Sequence, residues 1–168
     1  METFMMDIGL EEDDAGVHKL IDFAAKCTEA FMKSLVDAGA DVVGIGEAIA
    51  SPDMLSPEHY EEFAFDPDTR VIQAVNDYGG KTGLHICGNV TDILPLLVQT
   101  GVDLLDIDYK TDLVKCHEIC AGKTAVRGPI DPSEILMQGT PEIVREKCLE
   151  AIKILGPKGG FILDAGCD

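Results

Sequence analysis

The chain has 168 residues, 46% of them hydrophobic and 26% charged, a globular composition that excludes a disordered polymer and suffices for one domain with a sizeable core. Lys and Arg number 13 against 31 Asp and Glu, a formal net charge of −18, so nucleic acid and acidic membrane surfaces are excluded as expected partners. Neither a basic-then-apolar leader nor a run of about 18 apolar residues occurs, so neither a signal peptide nor a membrane span is expected, and the expected location is cytoplasmic.

In chain order, one unit recurs: an amphipathic helix, a glycine stop and a short apolar strand. A helix is predicted from Val17 to Ala38, ended by Gly39, with Asp41-Val42-Val43-Gly44-Ile45-Gly46-Glu47 as the strand that follows. Ser56-Pro57 opens a helix that runs to Tyr78 and stops at Gly79-Gly80. Lys81 to Cys87 is the next strand, then a helix from Thr91 to Thr100, a strand Asp103–Asp108, and a short helix from Asp112 to Ala121. Thr124–Gly128 reads as a strand, Asp131-Pro132 opens a helical turn, Thr140-Pro141 caps the last long helix, and Phe161–Ala165 is the final strand.

About five strands alternating with helices predict an α/β fold with a parallel sheet, within a single domain spanning 1–168. Gly44-Ile45-Gly46 lies inside a strand and lacks a third glycine, which disfavours a dinucleotide fold. Glu47, His85, Cys87, Asp106, Asp108, Asp131, Asp164 and Cys167 fall at strand C-terminal ends, where a (β/α)8 TIM barrel gathers its active site. Because a full barrel needs about 250 residues, the expectation is a partial one.

Along a strand, residues two apart share a face, so His85 and Cys87 converge on one point while Ile86 turns away. With Cys167 beyond the last strand they form one imidazole and two thiolates, a zinc-type set with room for an exchangeable fourth ligand. Spacing alone leaves a second reading open, in which both cysteines are small core residues. Cys27 and Cys148 fall in amphipathic helices and are expected in the core. Cys116-His117-x-x-Cys120 fits either two inward-packed thiols or a second metal site.

The phrases Gly39-Ala40-Asp41, Glu47-Ala48, Ser51-Pro52-Asp53-Met54-Leu55-Ser56-Pro57, Leu84-His85-Ile86-Cys87-Gly88-Asn89, Gly128-Pro129-Ile130-Asp131-Pro132, Gly159-Gly160-Phe161-Ile162-Leu163 and Gly166-Cys167 together resemble the C-terminal half of the uroporphyrinogen decarboxylase-like superfamily. Within it, His-x-Cys with a distant Cys resembles the cobalamin-dependent thiol methyltransferase branch, which is methylcobalamin:coenzyme M methyltransferase-like. The resemblance implies zinc held by His85, Cys87 and Cys167, a methyl-corrinoid donor in the form of cobalamin or a corrinoid protein, and a thiol substrate. It also implies an N-terminal half absent from these residues, supplied by another segment or replaced by homo-oligomer contacts at the open sheet edges.

The expected function is zinc-dependent methyl transfer from a methyl-corrinoid to a thiol, or the zinc-binding half of such an enzyme. The alternatives are a tetrapyrrole decarboxylase and a non-catalytic module for a corrinoid protein or for oligomerisation. Glu47 is the expected catalytic carboxylate, filling a fourth zinc position or taking the thiol proton. Asp106, Asp108 and Asp131 are candidates for orienting His85 through its other ring nitrogen.

Overall fold

Helix α1 (Asp14–Asp37) leads to β1 (Val43–Gly46), then to α2 (Pro57–His59), a π-helical turn (Tyr60–Ala64) and α3 (Phe65–Asp77) before β2 (Thr82–Ile86). There follow α4 (Leu94–Gln99), β3 (Leu104–Ile107), α5 (Leu113–Cys120), β4 (Ala125–Ile130), a second π-helical turn (Pro132–Met137), α6 (Pro141–Leu155) and β5 (Phe161–Ala165). This computed structural model describes residues 14–167.

Local chemistry sets the helix starts. Ser56 accepts from the His59 N–H at 3.2 Å, Asp112 from Val114 and Lys115, Asp131 from Ser133 and Glu134, and Thr140 from Ile143, each satisfying donors that the first turn leaves without partners. Replacing Asp112 with alanine is expected to cost about 1 kcal/mol of stability, measurable by denaturant titration. The continuous helix expected from Ser56 to Tyr78 is instead interrupted at Tyr60–Ala64. Pro67 has no N–H to offer the Phe63 carbonyl four residues back, and the turn ahead of it widens so that Phe65 N–H donates to Tyr60.

The strands pair in parallel in the order β1-β2-β3-β4-β5. Sequential order without reversal, joined by crossovers of one hand, puts all the helices on one face of the sheet; a doubly wound sheet reverses its order and uses both faces. The result is five consecutive strands of a (β/α) barrel wall.

Alternation sorts the side chains. Leu84, Ile86, Leu105, Ile107 and Val126 point toward the helices and pack with Ile72, Ile93, Leu94, Leu97 and Leu155 in the main core. The opposite face carries Gly44, Gly46, Gly83, His85, Leu104, Asp106, Arg127, Ile162 and Asp164, around a cleft of about 650 Å³.

On the helix face, Met32, Val43, Val71 and Val75 seal α1 and α3 over β1. A second row on α1, Leu20, Phe23, Cys27 and Phe31, faces solvent, the two rings being 65% and 63% exposed. Cys27 is therefore not a core residue: α1 buries the row through Met32 against β1 and α3, and Cys27 lies on the other. Cys148 is half-buried. Cys116 and Cys120 are sealed in the core with their sulfurs 3.9 Å apart, which answers to inward packing. Among the described residues no helix is long and apolar enough to cross a membrane.

Candidate metal centre

β2 carries His85 inward and Cys87 just beyond its end, and Cys167 follows β5 after a single glycine. His85 Nε2 lies 3.3 Å from Cys87 Sγ and 3.8 Å from Cys167 Sγ, and the two sulfurs are 3.8 Å apart. A tetrahedral zinc with Zn–N near 2.0–2.1 Å and Zn–S near 2.3 Å sets sulfur–sulfur separations of about 3.8 Å and nitrogen–sulfur separations of about 3.6 Å. The donor set and its spacing therefore fit that ion. Among the described residues this is the one group of three or more His, Cys, Asp or Glu so arranged, all three side chains being half-buried.

Burial, and after it the neighbouring Cys167 sulfur and Asp108, push the Cys87 thiol above its ordinary range. A thiolate here thus needs a cation to offset those costs, which a bound divalent metal provides.

His85 is oriented from β3. Its Nδ1 lies 2.9 Å from the Asp106 backbone carbonyl, which fixes the proton on Nδ1 and directs the Nε2 lone pair at the sulfurs. The Asp106 carboxylate stands farther off, 3.8 Å from Nδ1, and pairs with Arg127. One sheet rung aligns Gly46, His85, Asp106 and Arg127. Arg127 also reaches Asp164 at 3.4 Å, so its guanidinium sits between two carboxylates in the cleft.

The other two expected partners of His85 work elsewhere. The buried Asp108 carboxylate accepts from Gly88 N–H at 2.7 Å and Lys110 N–H at 3.0 Å. Asp131 caps the turn that begins at Pro132.

The Glu47 carboxylate lies outside the three-ligand group, in a separate cavity of about 250 Å³ shared with Asp68 and Thr28 between α1, β1 and α3. Parity carries the signal for this: Val43 and Ile45 mark the helix-facing side of β1, and Glu47 continues that side. Its backbone N–H donates to the His85 carbonyl at 2.7 Å. Burial raises the Glu47 carboxyl above its ordinary range.

Asp68 is also buried and accepts from the fully buried Tyr60 hydroxyl at 2.9 Å. Burial first, then the Glu47 charge, push the Asp68 carboxyl up to about 7, against the lowering effect of that hydrogen bond. Sequence reasoning passed over this Tyr60–Asp68 pair; an acid amid Val71, Ile72 and Val75 on a helix was its available signal.

A family profile described as uroporphyrinogen decarboxylase (URO-D) matches residues 3–168. The chain belongs to that family. Among curated relatives, Methylcobamide:CoM methyltransferase MtbA of Methanosarcina acetivorans is 32% identical over 151 residues, covering 90% of this chain and 43% of the relative. MtbA of Methanosarcina mazei is 33% identical over 154 residues, with the same two coverages of 90% and 43%. Uroporphyrinogen decarboxylase of Trichodesmium erythraeum is 29% identical over 152 residues, covering 89% of this chain and 41% of its own. A solved methyltransferase structure from Methanosarcina mazei superposes with a TM-score of 0.85 at 27% identity, over 97% of this chain and 46% of that one. The match lies in the C-terminal half of that structure. This URO-D family chain thus spans less than half the length of the curated relatives named here.

Proposed function

We propose that this chain is the metal-holding half of a zinc-dependent methyltransferase that passes a methyl group from a methyl-corrinoid to a thiol. The observation that carries the reading is the His85–Cys87–Cys167 cluster, at zinc spacing, in a chain related to the two MtbA proteins. His85 Nε2 and the sulfurs of Cys87 and Cys167 would hold the ion. Bound there, zinc would lower the pKa of a thiol and keep it as an oriented thiolate nucleophile. Asp106 keeps the imidazole in the ligating tautomer. The two cysteine thiolates offset the dication's charge, which leaves an incoming sulfur electron-rich. Glu47, in its separate cavity on the helix-facing side of β1, stands outside this chemistry.

The tetrapyrrole decarboxylase reading is weaker on charge. Arg70 is held by Asp22 and Asp66 outside the cleft, and Arg127 inside it is flanked by two carboxylates, a poor reception for a polyanion.

Among the described residues the cleft is walled on one side, and β1 and β5 each pair along one edge. Val42 and Ile162, about half exposed at 52% and 49%, and the apolar row of α1 mark where further parallel βα units, those of the N-terminal half, would close the wall.

Metal analysis of the purified protein tests the reading. About one zinc per chain is expected, and cobalt(II) in its place should gain thiolate-to-metal absorption when a small thiol is added. A protein that takes up neither ion overturns it.

A further inference from the structure

The end of β3 supplies no metal ligand, yet it touches the supports of all three. The Asp106 carbonyl holds His85 Nδ1 at 2.9 Å. Two residues on, the Asp108 carboxylate holds Gly88 N–H at 2.7 Å, the peptide directly after Cys87, and folds back to Lys110 N–H at 3.0 Å. Between them Tyr109 presents its backbone to Gly166, the residue directly before Cys167: a Cβ on Gly166 would meet Tyr109 N at 2.5 Å and its Cα at 3.0 Å.

The Cys87 side is clamped from above as well. Gly88 has φ of 81°, and a Cβ there would lie 2.4 Å from Asp53 Oδ2 and 2.5 Å from Ser51 Oγ. Lys110 Nζ ties Asp53 down at 3.1 Å, so the β1–α2 loop is strapped to the same β3 turn.

We propose that the Asp106–Lys110 segment is the template of the metal centre: it sets the mutual positions of the imidazole and both sulfurs before metal arrives. Resting on the zinc reading above, the proposal makes Asp108 a positioning residue acting through the Cys87–Gly88 peptide, and Gly166 the close-contact point that seats Cys167. Asp108 is 4% exposed, and a buried carboxylate spent on two main-chain N–H groups fixes a loop more tightly than a neutral acceptor does. Supports of this kind typically change metal affinity by about 10- to 100-fold when removed.

The experiment compares the whole chain with Asp108→Ala, Asp108→Asn, Gly166→Ala and Tyr109→Ala. Zinc affinity is read by competition with a chromophoric chelator, ligand geometry by the cobalt(II) absorption spectrum, and folding by circular dichroism. Asp108→Ala is expected to weaken zinc by about 10- to 100-fold and shift the cobalt bands. Asp108→Asn keeps one acceptor and recovers part of the affinity. Gly166→Ala is expected to weaken zinc as well, whereas Tyr109→Ala, which keeps the backbone, leaves both readouts unchanged. Folded Asp108→Ala with wild-type affinity and spectrum overturns the proposal; if that variant does not fold, the same result from Asp108→Asn and Gly166→Ala overturns it. Wild-type protein that binds neither ion overturns the zinc reading itself, a separate outcome.

Discussion

Cys87→Ser and Cys167→Ser are each expected to lose the metal while leaving the fold in place. The ligands stand at the C-terminal ends of β2 and β5, outside the apolar clusters that hold the strands to their helices, so neither substitution opens a cavity in the core. A serine hydroxyl does not ionise near neutral pH and is a harder donor than a thiolate, a poor exchange for zinc in a soft set. If the roughly 10–16 kcal/mol of a four-ligand zinc site is shared among its ligands, one of them accounts for about 3 kcal/mol, a hundredfold or more in affinity. His85→Ala belongs to the same class. Chelator competition on each variant, beside an unchanged far-ultraviolet spectrum, checks the expectation. A Cys167→Ser protein that holds zinc as tightly as wild type would show that the remote sulfur, 3.8 Å from its neighbour, is not a ligand.

The elements of this fold were legible because each is punctuated locally. Ser56, Asp112, Asp131 and Thr140 announce helical starts by the donors they satisfy, and the strands between glycine stops fall within a residue or two of their expected places. His85 and Cys87 were legible as a pair because alternation is a property of any strand, and Cys167 joined them because parallel strands put their C-terminal ends together.

What stayed hidden depends on packing between elements. Cys27 and Met32 lie on the same amphipathic helix, and only the placement of β1 and α3 decides which row is buried. Asp106 and Asp108 share a face of β3, so their sequence positions do not say that one offers its carbonyl to His85 and the other its carboxylate to Gly88. The π-helical turn is hidden for a related reason: Pro67 signals a disturbance, and the direction in which the helix yields is settled by seating Tyr60 against Asp68.

That Tyr60–Asp68 contact has a consequence for stability against pH. Asp68→Asn is expected to raise the melting temperature at about pH 8 and to change it little near pH 4, because of where the proton sits. With its carboxyl ordinarily at 3.8 and pushed up to about 7 in the fold, Asp68 keeps a proton in the folded chain that the unfolded chain has already released across that window. Folding therefore takes up a proton there, and raising the pH from about 4 to 7 lowers stability until, above about 7, the penalty is complete. Glu47, raised by burial beside it, pushes the same way. At about 1.4 kcal/mol per pKa unit the penalty amounts to a few kcal/mol. Asparagine has no proton to lose and its carbonyl still accepts from the Tyr60 hydroxyl, so it removes the penalty without leaving the phenol unpaired. Thermal unfolding of wild type and variant across this pH range is the check. Parallel curves would mean that Asp68 is ionised in the fold at neutral pH, with the cost of its burial offset by partners other than Tyr60.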